Sequence, residues 1–275
     1  MRYHRGVRLA FITDVHFGPR AYHDGKLRKL TDRAGELCSR FVDRMNDRER
    51  PELVVNLGDV IEDESRERDF EQYSRFVEIL GGLESKVVHV AGNHDQIYLT
   101  EDDLLALWRR SGNLYYGFDH DGVHFLVLQT IEIKDKGVHI PEAQLEFAAD
   151  DLAATSLPTV VLMHHPASDQ ILIGNRWFER APELCRVAER KALRRVFEAS
   201  GKVIAVFNGH VHWNHFDLIA GIPYITVQSL TENLDDDAPG RPANAFALCE
   251  LEERRLQISV YGEETARYQI ELATR

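Results

Sequence analysis

The stretch Leu9-Ala10-Phe11-Ile12-Thr13-Asp14-Val15-His16 sets a pattern that recurs along the chain: a short apolar run that stops at acidic residues and histidines. Leu53-Val54-Val55-Asn56-Leu57 precedes Gly58-Asp59, and Val87-Val88-His89-Val90-Ala91 precedes Gly92-Asn93-His94-Asp95. Thr159-Val160-Val161-Leu162-Met163 leads to His164-His165-Pro166, and Val203-Ile204-Ala205-Val206-Phe207 leads to Gly209-His210-Val211-His212. Near-continuous β-branched runs of this length, bounded by Gly and polar residues, suit strands buried on both faces. In open α/β sheets the loops beyond the carboxyl ends of the strands form the ligand crevice. Five such strands in one sheet would therefore bring all five clusters to one edge.

Working outward, the predicted strands are Val7–Thr13, Leu53–Asn56, Val87–Ala91, Val123–Gln129, Thr159–Met163 and Val203–Asn208. Segments with helical periodicity lie between them: Lys26–Arg48, Asp69–Leu80, Glu101–Arg110, Glu142–Ala154 and Leu184–Ser200. Thr100 and Asp103 form a capping pair, and Pro141 fits the first turn of the fourth helix. Strand–helix alternation implies crossover units and an α/β class. After residue 220 the runs Tyr224–Gln228, Ala245–Leu251 and Leu256–Tyr261 resemble an antiparallel meander closing the domain. No linker and no internal repeat interrupts the chain, so residues 1–275 read as one domain.

Composition narrows the function classes. Of 275 residues, 44% are hydrophobic and 28% charged, as in a globular enzyme. No apolar run approaches the roughly 20 residues needed to cross a bilayer, so no membrane role is expected. The start Met1-Arg2-Tyr3-His4-Arg5-Gly6 lacks the features of a signal peptide, which points to the cytoplasm. A net charge of −12 argues against a nucleic-acid backbone as the main ligand, because backbone binding rests on clustered Lys and Arg. It leaves room for a small phosphate ester, since local charge in a pocket can oppose the global sign. Cys38, Cys185 and Cys249 are far apart and read as reduced, packed thiols.

Imidazole and carboxylate donors suit Zn, Mn and Fe, whereas a soft-metal site would use thiolates, and no cysteine falls in any cluster. Taken singly, each cluster also suits a turn. Together, the order Asp-x-His, Gly-Asp, Gly-Asn-His-Asp, His, Gly-His-x-His resembles the signature of calcineurin-like metallophosphoesterases, over roughly residues 7 to 215. The resemblance implies a double β-sandwich flanked by helices and a site for two divalent or mixed-valence metal ions (Mn, Fe or Zn). One metal would be held by Asp14, His16 and His212, the other by Asn93, His164 and His210, with Asp59 bridging them. His165 would then be a neighbour of the ligands rather than a ligand. The resemblance also makes His94 the general acid that protonates the leaving alkoxide, its alternative being to orient a metal-bound water.

The chemistry stands beside the family likeness. Two metals about 3.5–4 Å apart can clamp the attacking and leaving oxygens of an in-line displacement and lower the pKa of bound water toward 7, which makes a shared hydroxide the nucleophile. Two divalent ions bring four positive charges; Asp14, Asp59 and that hydroxide offset three, leaving about one. That suits a monoanionic diester, so phosphodiesters are the expected substrates, and members of this size resemble class III cyclic-nucleotide phosphodiesterases and glycerophosphodiesterases. Phosphomonoesters and nucleotide pyrophosphates are the alternatives on the same site. A scaffold that has lost its metals is the non-enzymatic alternative, and the retention of every ligand position argues against it. An amidohydrolase would carry His-x-His near the first strand, whereas here it comes last. Asn93, His94 and Arg176 are the candidate substrate contacts, with Asn175 and Trp177 beside Arg176 reading equally as packing. Tyr22-His23 and Asp235-Asp236-Asp237 read as solvated turns, and His139 as a surface histidine. Ala167 stands where many relatives carry a second Pro, which bears on pocket shape. A homo-oligomer stays open.

Overall fold

The computed structural model describes residues 6–252 and 255–272; the chain start, read above as carrying no signal peptide, falls on residues 1–5 and lies outside them. Strands are numbered here in chain order. One six-stranded sheet runs in the order β16 (Ala266–Glu271), β15 (Arg255–Tyr261), β14 (Phe246–Glu252), β1 (Val7–Ile12), β4 (Leu53–Asn56), β5 (Lys86–His89). The other runs β12 (His215–Ile219), β13 (Ile222–Thr226), β11 (Val203–Asn208), β10 (Thr159–Leu162), β7 (Val123–Val127), β6 (Tyr116–His120). Two short hairpins pair β2 (Ala21–His23) with β3 (Lys26–Lys29) and β8 (Ile131–Ile133) with β9 (Gly137–His139). Within the large sheets β1, β4 and β5 are parallel, as are β7, β10, β11 and β13.

The apolar runs are continuous because both faces of each central strand are covered. Leu9 and Phe11 point between the sheets, where Phe11 stacks on Phe207 with ring centroids 4.2 Å apart. The alternate residues Ala10 and Ile12 face α1 (Ala34–Arg44) and α2 (Arg66–Leu80), through Leu37, Phe41, Tyr73 and Phe76. The second sheet divides the same way. Val160 and Leu162 join the inter-sheet core, while Val161 and Met163 meet Ala148 and Leu152 of α4 (Glu142–Ala154) and Leu193 and Phe197 of α5 (Arg190–Ser200). A period of two along each strand thus serves two cores at once. The result is the expected double β-sandwich with helices outside.

Several expectations are corrected. The five clusters do not share one sheet: three follow strands of the first and two follow strands of the second. They still converge, because the two sheets stack with these strand ends together. The predicted helix Lys26–Arg48 starts later, with a 3-10 turn at Thr31–Arg33 and α1, and runs on as a π-helical turn at Met45–Glu49, close to its expected end. Its first residues are instead the second arm of the β2–β3 hairpin, whose turn places Asp24 and Gly25 at φ 51° and 72°. That Asp-Gly pair is a strong signal for a turn with positive φ at both central residues. The predicted helix Leu184–Ser200 begins only at Arg190, after a 3-10 turn at Pro182–Leu184. The expected meander is split as well: β13 lies parallel to β11 in the second sheet, and the meander is β14, β15 and the unforeseen β16. The edge strands β6 and β12 were also unforeseen. Elsewhere the punctuation holds. Thr100 and Asp103 form a reciprocal capping box at α3 (Glu101–Leu107), and Pro141 sits one residue earlier than expected, at the N-cap of α4.

Candidate metal centre

Each cluster leaves the carboxyl end of a parallel strand through a turn that the chain must tighten. Asp14, His16, Asp59, His210 and His212 all adopt positive φ, between 50° and 68°. Such backbone costs of order 1 kcal/mol or more per non-glycine residue and persists where the surroundings over-determine it. Here the loops brace one another. Asp14 N donates to Gly58 O at 3.0 Å, His16 N to Asp59 O at 3.1 Å, and His210 N to Asp14 Oδ2 at 2.9 Å. The glycines allow this closeness: a Cβ on Gly92 would lie 2.1 Å from Asp59 Oδ1, and one on Gly209 would lie 2.0 Å from Thr13 Oγ1. Asp95 is a structural buckle between two clusters, accepting from Gly92 N at 2.9 Å, Asp59 N at 3.0 Å and Val60 N at 2.8 Å.

The side chains converge in a buried cluster. His16 Nε2 lies 3.1 Å from His212 Nε2, and each is 3.9 Å and 3.4 Å, respectively, from Asp14 Oδ1. Asp59 Oδ2 sits between the two halves, 3.9 Å from His16 Nε2 and 3.2 Å from His164 Nε2. The rings of His164 and His210 are 5.0 Å apart, and His165 packs 4.1 Å from His210. Asn93 Nδ2 donates to Glu132 Oε2 at 3.0 Å, which leaves its Oδ1 buried without a partner.

The outer hydrogen bonds fix which nitrogen of each ring faces inward. His16 Nδ1 lies 2.8 Å from Glu62 Oε2, and His212 Nδ1 donates to Glu232 Oε2 at 2.7 Å. His164 Nδ1 donates to Leu57 O at 2.8 Å, so all three present Nε2. His210 is reversed, donating from Nε2 to Leu184 O at 2.9 Å and presenting Nδ1. This is the arrangement that orients imidazole ligands and raises their basicity. The donor set fits a divalent cation: His164 Nε2 and Asn93 Oδ1 are buried with no hydrogen-bond partner, and His16 Nε2 and His212 Nε2 are drawn within 3.1 Å of each other beside Asp14. Imidazole, carboxylate and amide oxygen together suit Zn, Mn or Fe.

Electrostatics agree with that donor set. Burial alone would raise the carboxyl pKa of Asp14, yet the hydrogen bond and charge of His212 hold it well below the usual range. Asp59 is likewise held low against burial, chiefly by His164 and His94. Burial pushes His16 down to about 4 and His210 down to about 3, keeping both neutral, the form that can bind a metal. His164 and His212 are pulled up to about 9 against burial, by Asp59 and by Asp14 with Glu232 respectively. Those two carry a proton at neutral pH that a cation would displace.

Among the residues singled out from sequence, the structure gathers Asp14, His16, Asp59, Asn93, His164, His210 and His212 around this cluster. His94 stands at its edge, its ring 4.9 Å from that of His16 and its Nδ1 donating to Asp63 Oδ2 at 2.5 Å. Burial and Lys29 oppose its charged form, but Asp59 and Asp63 raise its pKa overall. His165 Nδ1 lies 2.7 Å from Thr130 Oγ1 while its Nε2 is buried without a partner. Arg176 lines a cavity of about 150 Å³ together with His212, but its Nη1 donates to Asn233 O at 3.0 Å and its Nη2 is 4.0 Å from Asp236. Asn175 is packing: its amide caps Trp177 N and Phe178 N and donates to Val211 O. Trp177 bears on the centre, stacking edgewise on His212 at 5.4 Å and donating to Glu232. His23, read as solvated, packs on Trp177 at 5.0 Å, and Asp236 pairs with Lys26 and Arg28 rather than lying free. His139 is paired with Glu189, and the three cysteines are buried free thiols.

Sequence reasoning missed Lys29, Glu62, Asp63, Glu132 and Glu232. Lys29 is buried, with Nζ 2.9 Å from Glu62 Oε2 and 3.4 Å from His16 Nδ1. An available signal was the acidic pair Glu62-Asp63 just after Gly58-Asp59. Glu132 and Glu232 carry no local signal.

The family profile described as calcineurin-like phosphoesterase matches residues 7–214, from β1 to just past His212. Comparison with curated protein sequences gives no match. Among solved structures, a dimetal phosphatase from Danio rerio superposes with a TM-score of 0.79 at 17% identity, covering 98% of this chain and 100% of that one. A purple acid phosphatase from seeds of yellow lupin, Lupinus luteus, gives 0.68 at 14% identity, covering 98% of this chain and 55% of its own. GAP50, the anchor in the inner membrane complex of Plasmodium, gives 0.63 at 13% identity over 98% of this chain and 90% of that one. At such identities the likeness establishes the fold alone. The profile spans most of the chain and takes in all five clusters, and the chain belongs to the calcineurin-like phosphoesterase family of metal-dependent hydrolases.

Proposed function

We propose that the chain hydrolyses phosphate esters, diesters in preference to monoesters, at a centre for two divalent metal ions. Asp14, His16 and His212 would hold one ion, Asn93, His164 and His210 the other, and Asp59 would bridge them. Bound there, two such ions supply a clamp on the reacting oxygens and a water of lowered pKa. The observation that carries the reading is the convergence of buried carboxylates and imidazoles into adjoining metal-capable groups, with the rings held from behind and with Asn93 Oδ1 and His164 Nε2 buried and unpartnered. The protein's own contribution is orientation and proton supply. Glu62, Glu232 and the carbonyls of Leu57 and Leu184 hold the rings. His94, partly buried at the edge and tied by Nδ1 to Asp63, leaves Nε2 to protonate the departing alkoxide.

The preference for diesters follows from charge. Glu62, Asp63, Glu132 and Glu232 crowd the centre with acid, whereas Lys29 is committed to Glu62 and Arg176 to Asn233. A monoester dianion asks for a free cation beside the metals, while a diester monoanion does not. The test is a screen of mono-, di- and pyrophosphate esters with Mn²⁺, Zn²⁺ or Fe supplied, scored by kcat/KM. Bis-(p-nitrophenyl) phosphate should be hydrolysed more efficiently than p-nitrophenyl phosphate. A tenfold or larger preference for the monoester that Arg176→Ala abolishes would refute the diester reading and make Arg176 the phosphate clamp.

A further inference from the structure

At the other end of the sandwich from the centre, a separate set of metal-ligating side chains meets. Glu52 stands just before β4, its N donating to Arg8 O at 2.8 Å. His120 closes β6 and pairs with Val123, the first residue of β7, and Asp121 and Gly122 make the turn between them at φ 44° and 80°. All three residues therefore lie at the amino ends of the parallel strands β4 and β7, whereas the centre lies at the carboxyl ends. One donor atom from each of Glu52, His120 and Asp121 lies within 4.8 Å of the others, and the three line one cavity of about 400 Å³. Glu52 Oε2 and His120 Nε2 are sealed from solvent with no hydrogen-bond partner, and His120 Nε2 is 3.8 Å from Asp121 Oδ2, too far for one. Buried polar atoms are nearly always paired, so two orphans in one triad ask for a shared partner.

We propose that Glu52, His120 and Asp121 form a further metal site, for Zn²⁺, that clips the two sheets together at the end remote from the centre. An imidazole nitrogen and a carboxylate oxygen can each give a lone pair, and together they are a zinc donor set. Ligands at about 2.0–2.2 Å in a tetrahedron stand about 3.3–3.6 Å apart, so the triad contracts by no more than about 1.5 Å to close on an ion. The side chain of Asp121, 63% exposed at its turn, takes up that movement. Three protein donors leave the fourth position to water. Charge leaves the place open to an ion from solution. Arg50 and Lys86 line the same cavity, but among the described residues no Lys or Arg pairs with Glu52 or Asp121, and Arg50 Nε donates to Asn46 O at 3.3 Å. Glu52 adjoins a strand of the first sheet and His120 ends a strand of the second, so an ion held by both resists their separation. The site does not depend on what the centre hydrolyses.

The experiment strips the full chain with a chelator, dialyses it against Zn²⁺ and counts zinc by elemental analysis, with Tm recorded in parallel. His120→Ala and Glu52→Gln should each hold one equivalent fewer than the wild type, whatever number the centre takes. Zn²⁺ should also raise Tm less in both variants, because an ion that binds only the docked sheets stabilises them by mass action. Glu84→Gln removes a carboxylate that lines the same cavity outside the triad, and it should keep the full count. If His120→Ala fails to fold, Glu52→Gln decides, since it keeps the size of the side chain and removes only its charge. Equal zinc counts in the wild type and the triad variants overturn the site. A deficit that Glu84→Gln shares overturns it too, since it marks an adventitious ion only on an acidic surface. A deficit confined to the triad variants, with the gain in Tm on adding Zn²⁺ unchanged, overturns the clip between the sheets.

Discussion

Replacing Gly92 by alanine should disable the centre with only modest damage to the fold. A Cβ there would stand 2.1 Å from Asp59 Oδ1, 2.3 Å from Asp59 N and 2.8 Å from Asp59 Cγ. Comfortable contact for such atoms is about 3.5 Å, so Asp59 must retreat by more than about 1 Å. It has nowhere to go. Asp59 Oδ1 accepts from His94 N at 3.0 Å, Oδ2 lies 3.2 Å from His164 Nε2, and its own N donates to Asp95 at 3.0 Å. Gly92 is not among the glycines with positive φ, so an alanine adds no backbone strain and the effect is steric. Overpacking of this kind costs about 1–3 kcal/mol. At about 2–4 °C per kcal/mol for a chain of this size, Tm should fall by about 2–12 °C. Gly112→Ala is the matched control: its φ is 95° but nothing lies within 4 Å of the added Cβ. It should lose about 1–2 kcal/mol through the backbone alone. Thermal unfolding and elemental analysis of both dialysed variants check this. Gly92→Ala should lose metal, and Gly112→Ala should lose stability with full metal. A Gly92→Ala protein with wild-type metal content and Tm would refute the steric argument.

Asp59→Asn should impair both metal positions and His16→Ala mainly one, because an amide is a poor bridge; elemental analysis showing the same single loss in each would remove Asp59 from the bridging role. His94→Ala should retain metal yet lose turnover by about 10²–10⁴-fold on alkyl esters, and less on nitrophenyl esters, whose leaving group needs no proton. Asp63→Asn should move the same comparison in the same direction by a smaller factor, and a defect equal across leaving groups would favour an orienting role for both. Glu62→Gln and Glu232→Gln should each weaken metal binding about 10–100-fold, read by calorimetric titration, because each carboxylate fixes the tautomer of one ring.

What the sequence made legible, and what it hid, divides along a physical line. The apolar runs before each cluster announced their strands because both faces are buried, so the signal was undiluted: Leu53–Asn56 and Val203–Asn208 fall where periodicity put them. Edge strands gave no such signal. Tyr116–His120 and His215–Ile219 are half-exposed and carry Asp, His and Gly, so they read as loop. The hairpin at Lys26–Lys29 was hidden for another reason, because its lysines and arginine pattern equally well as a helix and only Asp24-Gly25 distinguishes the two. In the site, the inner residues were legible since each follows its own strand end. The carboxylates behind them were not. Glu232 reaches His212 from a loop twenty residues on, and Lys29 reaches Glu62 from the end of the β2–β3 hairpin. Nothing local in the chain encodes either meeting.

The division of the clusters between two sheets has a consequence for stability. On the proposed assignment each metal draws donors from both sides. Asp14 and His16 follow a strand of the first sheet and His212 one of the second; Asn93 follows the first, and His164 and His210 the second. The separation of the donors is therefore set by how the sheets stack, which Phe11 on Phe207 and the surrounding inter-sheet core fix. Binding runs the argument in reverse. Ions that bind only when the sheets are docked stabilise the docked state by mass action, as any ligand of the native state does. The strained turns at Asp14, His16, Asp59, His210 and His212 fit the same scheme. Each turn alone is costly, but they brace one another, His210 N on Asp14 across the joint and His16 N on Asp59 within the first sheet. Strain, inter-sheet packing and metal affinity are thus coupled at one place, the line where the two sheets present their strand ends together.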